Sequence, residues 1–379
     1  MNYEIIKISL NILNFTITSK NIIDLILDIT IDNISYAAIQ HVVKFKITNY
    51  LGKGSIGQVY LITRQSIDKQ SEYIFPLKSY VLKISNDDCM DELLNEMVII
   101  KKKFKEYNII NESYPLACGI FLNIKALGVI YKFLGYYNLE KIKRINYTIE
   151  MSHNKSIIKQ IILQMIQMGN NIHCDLKPSN IVIDVDTIEN KMKGTIIDYG
   201  LMKGYNEMNI ISTNYITSPE SLLTLTPAPI YDVDMSKHDY FGLFVIIINL
   251  FVTNNYWDII SDFLIKNHNI SSQFIMKDEA RIIFVYIWFK FTYNNTIDIP
   301  NNKLRELILD IESKNIIFTL KKFENFDLFF NNYIVPNLNL YYINEASIDM
   351  LKSFLRSISY FCPEDRPPLY KLLEHPFFL

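Results

Sequence analysis

Hydrophobic periodicity changes character near Asn138, and that change governs every fold open to this chain of 379 residues. Before it, from Phe45, the segments FKITNYLG, QVYLITR and SYVLKIS are short, rich in β-branched and aromatic residues, and strand-like. Asp91 to Lys105 then carries Leu93, Leu94, Met97, Ile100 and Phe104 at the spacing of one helix face. Two more strands are predicted at Gly119 to Ile124 and Leu127 to Phe133. Beyond Asn138 the text is mainly helical, with strongly apolar stretches at Ser156 to Met168 and Phe241 to Val252. Strands, one helix, more strands and then helices predict an α+β, bilobal chain. Its smaller lobe, residues 45–134, is an antiparallel sheet with a single helix, and its larger lobe, residues 135–379, is mainly helical. The hinge is expected near Lys132 to Gly135, and ligand pockets favour clefts of this kind. An apolar share of 49% is ample for the core.

Composition excludes several classes. The net charge of −2 carries no basic footprint for nucleic acid, and the short run of Lys101, Lys102, Lys103 and Lys105 reads as a solvated helix face. The four cysteines, Cys89, Cys118, Cys174 and Cys362, form no CxxC pair, which disfavours zinc and suits a reducing compartment. Met1 to Leu10 includes Glu4 and Lys7 and does not read as a signal peptide. The most apolar run, Tyr240 to Val252, is shorter than the ~20 residues of a membrane span and reads as a buried helix. No transmembrane segment and a cytoplasmic location are therefore expected. Residues 1–44 form a leader of mixed helical and strand-like character. In it Asp24, Asp28 and Asp32, spaced by four, would share one helix face.

Leu51-Gly52-Lys53-Gly54-Ser55-Ile56-Gly57-Gln58-Val59 reads G-x-G-x-x-G-x-V between two strand candidates. Glycines let backbone N–H groups approach phosphate oxygens closely. A dinucleotide site would open a helix at the third glycine, whereas QVYLI is strand-like; a plain glycine-rich hairpin is the other reading. Val81-Leu82-Lys83-Ile84 places a cation in an apolar strand, where it needs a partner. Glu96, on the following helix, is the matching carboxylate, with Lys78 and Glu92 as rival choices.

The most informative segment is His173-Cys174-Asp175-Leu176-Lys177-Pro178-Ser179-Asn180. Asp175 can accept a hydroxyl proton, Lys177 can neutralise charge on a moving phosphoryl group, and Asn180 can hold a metal ion. The segment resembles the H-x-D-L-K-P-x-N loop of eukaryotic-type protein kinases, and Lys177 is the serine/threonine form of that loop. The resemblance implies ATP and Mg2+, or Mn2+ in its place, as cofactors. Leu51, Gly52, Gly54, Ser55, Gly57 and Val59 would then cover the nucleotide, with Lys83 and Glu96 aligning its phosphates. Asp198, in Thr195-Ile196-Ile197-Asp198-Tyr199-Gly200, resembles the metal-binding aspartate of a D-F-G element and joins Asn180 as a metal ligand. Asp175 and Lys177 are the catalytic residues.

Further likeness extends both ways along the chain. Ser218-Pro219-Glu220 is similar to the A-P-E close of an activation segment, and Thr213 falls where serine/threonine kinases place a threonine. Glu220 is expected to pair with Arg366. Asp239, in His238-Asp239-Tyr240-Phe241-Gly242, is expected to tie down the catalytic loop, with a simple helix N-cap as the other reading. His173 is expected to be architectural. The resemblance covers about Phe45 to Leu379, with an insertion placed within about 254–344. One departure is Cys174, where kinases regulated on the activation loop usually carry arginine. Less is then available to pair with a loop phosphate, and activity independent of loop phosphorylation is expected.

The sequence thus predicts a serine/threonine protein kinase acting on protein substrates, with dual specificity and oligomeric state left open. A silent pseudokinase scaffold is one rival, but no catalytic element is missing. A small-molecule phosphotransferase of the antibiotic or choline type is another, but those lack the Lys-Pro pair and the S-P-E segment. Abundant isoleucine, asparagine and lysine suggest AT-rich codons. With Cys174 and Tyr199 they point to a divergent kinase, resembling those of large cytoplasmic DNA viruses such as the poxvirus-like virion kinases. The host cytoplasm or the virion would then be its location.

Overall fold

A computed structural model describes residues 6–12, 26–31, 41–54, 56–65, 76–86, 88–106, 112–121, 126–144, 149–186, 191–205, 218, 235–254, 326–339, 344–360 and 362–379, with isolated positions between 256 and 309. The chain divides into two units: Met1–Tyr136 with Asp198–Gly200, and Tyr137–Ile197 with Leu201–Leu379. Most of the stretch 254–344, where an insertion is predicted, lies outside the described residues.

The first unit holds β1 (Ile6–Ile12), β2 (Ile26–Ile31), β3 (His41–Lys53), β4 (Gly57–Arg64), β5 (Ser79–Ser85), α1 (Met90–Glu106), β6 (Pro115–Phe121) and β7 (Ala126–Lys132). The strands close into a barrel in the order β1-β2-β3-β4-β5-β7-β6. Every pairing is antiparallel except β1 with β6. Residues 1–44 therefore contribute two whole strands and the start of β3 to this sheet. The helical reading of the aspartate spacing is corrected here: Asp28 lies in β2, and Asp24 and Asp32 lie outside the described residues. ILDITI is largely β-branched, and pairing on both sides overrides a spacing that a helix would also satisfy. Without β1 and β2, strands β3 and β6 would each present an unpaired edge.

Alternation along each strand sorts side chains into two sets. On β5, Tyr80, Leu82 and Ile84 enter the barrel core with Phe45, Ile62, Phe121 and Ile130. The opposite face packs on α1 through Leu127 and Val129, which meet Leu93 and Met97, with Cys118 and Tyr131 beside them. Lys83 shares the odd-numbered phase of β5 and so belongs to the α1 side. The register aligns Gly52, Val59, Lys83, Val129, Cys118 and Lys7 in one row across six strands.

The second unit contains β8 (Tyr137–Asn138), α2 (Leu139–Arg144), α3 (Met151–Gln167), β9 (Asn171–Ile172), β10 (Ile181–Asp186), β11 (Lys191–Ile196), β12 (Lys203–Gly204), α4 (Asp239–Phe251) and α5 (Glu345–Ile358). Strand β11 is an edge strand, and α3 satisfies its backbone. Gln160 Oε1 accepts from Gly194 N at 2.7 Å, and Gln164 bridges Gly194 O and Ile196 N at 2.9 Å each. A side chain at Gly194 would come within 2.9 Å of Ile157 Cγ2, so glycine sets how closely the helix lies.

Helix α4 carries Val245, Ile246, Ile247 and Ile248, poor helix formers that are helical because they are buried on every side. Its last four carbonyls all find partners, as a buried helix end requires. Ile248 O accepts from Val252 N at 3.0 Å, Asn249 O from Lys143 Nζ at 2.8 Å, Leu250 O from Asn154 Nδ2 at 3.3 Å, and Phe251 O from Asn339 N at 3.0 Å. Burial lowers the Lys143 amine from 10.5 to about 8. Between those values the unfolded chain binds the proton and the folded chain does not, so this group makes stability rise with pH from about 8 to 10.5. Chemical denaturation of wild type and Lys143→Met across that window is expected to show the stability difference, wild type minus variant, rising with pH. Parallel curves for the two proteins would contradict it.

Candidate active site

In the first unit, β3 and β4 form a hairpin whose turn is the glycine segment. Gly54 N donates to Gly57 O at 2.8 Å. A Cβ on Gly57 would stand 2.2 Å from Ile84 O, so only glycine lets β4 lie this close to β5. Gly52 has open space where a Cβ would be. Leu51 and Val59 flank the turn on the two strands, and Ser55 lies outside the described residues. No helix follows the third glycine, which removes the dinucleotide reading.

Lys83 Nζ meets Glu96 Oε2 at 2.7 Å and Asp198 Oδ1 at 3.6 Å. Burial alone would push the lysine down, but Asp198 and Glu96 together hold it above its ordinary value. Burial pushes the Glu96 carboxyl up, against the pull of Lys83. The rival residues Lys78 and Glu92 are exposed. Asp198 has φ 65°, a left-handed conformation that a non-glycine residue adopts only where its surroundings enforce it. Tyr199 is buried edge-on against Phe104 of α1, with ring centroids 5.1 Å apart.

In the second unit, the loop after β9 is fastened to the first turn of α4. Asp239 accepts from His173 N at 2.5 Å and from Cys174 N at 3.1 Å, and Cys174 has φ 66°. His173 Nδ1 accepts from Asp175 N at 3.3 Å, which assigns the ring proton to Nε2, 3.0 Å from the Ile197 carbonyl. Asn180 Nδ2 donates to Asp175 O at 2.9 Å and to Asp175 Oδ2 at 3.1 Å, and Lys177 Nζ meets the same Oδ2 at 2.7 Å. A Cβ on Gly242 would stand 2.3 Å from Leu176 O, so α4 and this loop touch backbone to backbone. Asp239 is the first residue of α4 and His238 its N-cap, so the carboxylate serves the loop and the N-cap reading is corrected.

The donors suit a hard cation. Asn180 commits its amide nitrogen to Asp175, which leaves its carbonyl oxygen to accept, and the Asp198 carboxylate is 45% exposed. Among the described residues no three His, Cys, Asp or Glu side chains gather into a metal site. A metal held by either residue would draw further ligands from nucleotide phosphates or water.

Two features, at Tyr131 and Gly242, escaped the sequence reading. The Tyr131 hydroxyl is enclosed with no hydrogen-bond partner among the described residues. Burial, with Glu96 and Asp198 nearby, pushes it well above the ordinary tyrosine value; in sequence it was one aromatic among strand residues. Gly242 read only as part of a helix start. Arg366 is buried and donates to Tyr360 O at 2.7 Å and Lys237 O at 2.9 Å. Glu220, its expected partner, lies outside the described residues with Thr213.

A glycine turn with a paired lysine in one unit, and an Asp-Lys-Asn loop in the other, is the equipment of a phosphoryl-transfer protein. The chain matches the protein kinase domain over residues 45–378 and belongs to that family. Family membership implies ATP and a divalent metal in general terms. Two curated relatives were found. A "Probable dual specificity protein kinase YAK1 homolog" of Encephalitozoon cuniculi (strain GB-M1) is 29% identical over 187 residues, 48% of this chain and 42% of that protein. "Mitogen-activated protein kinase 15" of Caenorhabditis elegans is 23% identical over 197 residues, 48% of this chain and 39% of that protein. The chain therefore aligns with less than half the length of either relative. Among the described residues, no helix is long and apolar enough to cross a membrane.

Cys174 is fully buried in an apolar cluster with Ile172, Tyr205 and Met235. The segment after Leu201 is anchored to the start of the loop by backbone pairing and one tyrosine hydroxyl. Lys203 and Gly204 pair with Ile172 and Asn171, and the Tyr205 hydroxyl donates to Gly169 O at 2.7 Å. Phosphatase treatment is expected to leave activity within about tenfold, since Cys174 offers no guanidinium to pair with a loop phosphate. A loss of several hundredfold would contradict this.

Proposed function

We propose that the chain is a serine/threonine protein kinase that transfers the γ-phosphoryl group of Mg·ATP to protein hydroxyls. The observation that carries this is the Asp175 carboxylate, held by Asn180 at 3.1 Å and Lys177 at 2.7 Å. Asp175 accepts the proton of the substrate hydroxyl and orients its oxygen. Lys177, two residues on, balances charge on the phosphoryl group in transit, the arrangement typical of serine and threonine substrates. Lys83, kept cationic by its two carboxylates, aligns the α- and β-phosphates. The glycine turn offers backbone N–H groups to the phosphate oxygens. Magnesium, held by Asn180 and Asp198, would neutralise charge between the β- and γ-phosphates when bound.

The dual specificity named for the Encephalitozoon relative supports a second reading, in which tyrosine is also phosphorylated. The relatives give no support to a virion role, so the proposal stops at protein phosphorylation. Transfer of γ-³²P to a generic protein substrate, followed by phosphoamino-acid analysis, tests it. Wild type is expected to yield phosphoserine and phosphothreonine, and Asp175→Asn to lose about a hundredfold or more in kcat. Equal signals from the two proteins would remove Asp175 as the base, and phosphotyrosine would favour the dual reading.

A further inference from the structure

We propose that Gly200 is a positioning residue whose missing side chain lets Glu96 reach Lys83. This rests on the kinase reading for its catalytic consequence but not for its geometry. Residue 200 lies in a 3₁₀ turn, Tyr199–Leu201, and its φ is outside the left-handed region, where only Gly135 and Gly169 fall among the described glycines. Backbone conformation therefore does not require glycine, and glycine weakens a helical turn. Space does require it. A Cβ on Gly200 would stand 2.9 Å from Glu96 Cγ, 3.1 Å from Cδ and 3.3 Å from Oε2.

Glu96 cannot simply swing aside. It is 3% exposed, and its Oε2 is fixed 2.7 Å from Lys83. The helix that carries it is pinned by Leu93 and Met97 in the α1 packing layer and by Phe104 against Tyr199. Asp198–Gly200 therefore meets α1 twice, at Phe104 and at Glu96. An added methyl forces the Glu96 carboxylate off Lys83 against that packing and leaves Asp198, 3.6 Å away in the wild type, as the carboxylate beside Lys83 among the described residues. Lys83 then occupies the oxygen proposed for the metal, so both phosphate alignment and metal binding suffer.

The test combines crystal structures of Gly200→Ala and kinetics of Gly200→Ala, Glu96→Ala and the double variant. In Gly200→Ala the Lys83–Glu96 contact is expected to open beyond hydrogen-bond reach. KM for ATP is expected to rise about tenfold, with a smaller change in kcat. In the Glu96→Ala background the same substitution should change KM by less than about twofold, because there is nothing left to displace. A Gly200→Ala crystal structure that keeps the ion pair overturns the inference, and so do equal effects in both backgrounds. If Gly200→Ala fails to fold, the double variant decides: folding supports the steric account, and failure overturns it. A wild type without phosphotransfer would sink the kinase reading alone, since the crystal structures still judge Gly200.

Discussion

Two backbone hydrogen bonds donated to one carboxylate hold the catalytic loop in a shape its sequence does not favour. Cys174 sits at φ 66°, where a residue with a Cβ is disfavoured by about 1–3 kcal/mol. Asp239 offsets this by accepting from His173 N and Cys174 N. Hydrogen bonds to a charged acceptor contribute about 1.5–3 kcal/mol each, so the clamp outweighs the strain. With residue 174 turned this way, Asp175 N reaches His173 Nδ1 and the Asp175 side chain meets Asn180 and Lys177. The clamp is as firm as its support. Helix α4 is buried from Asp239 to Ile248 and again at Phe251, its C-terminal carbonyls are satisfied, and Gly242 lets it touch the loop.

In the other unit the governing constraint is a buried cation. A lone lysine on β5 would bear a desolvation cost of several kcal/mol, and removing one partner of such a pair typically costs about 3–5 kcal/mol. Glu96 and Asp198 meet that demand and keep Lys83 charged. The barrel fixes where the cation lies, because Lys83 shares one register row with Gly52 of the phosphate turn and Lys7 of the first strand. The N-terminal strands thus belong to the sheet that carries the site.

What could be read from sequence was local. The α1 helix was legible because Leu93, Met97, Ile100 and Phe104 repeat at helical spacing and are all buried. The buried character of α4 was legible in its uninterrupted apolar run. Strand β6 begins at Pro115, four residues before the predicted start, because Pro115 and Ala117 pair with Tyr131 and Ile130 of β7 and Ala117 also with Ile6 of β1. The barrel closure was hidden for the same reason: β1 meets β6 more than a hundred residues away, and no local pattern encodes that pairing. Asp175, Lys177, Asn180, Lys83, Glu96 and Asp198 announced themselves by residue type and spacing. Gly200 did not, since what singles it out is the space that Glu96 fills beside it.

The central claim is that Asp239 maintains the catalytic loop from outside the chemistry. Asp239→Asn replaces one accepting oxygen with a nitrogen that cannot accept from His173 or Cys174, while leaving size and helix position unchanged. Its kcat, measured alongside nucleotide affinity by calorimetry, is the direct measurement. The account predicts a fall in kcat of about a hundredfold with the affinity for Mg·ATP nearly unchanged. An Asp239→Asn protein with wild-type kcat would contradict it.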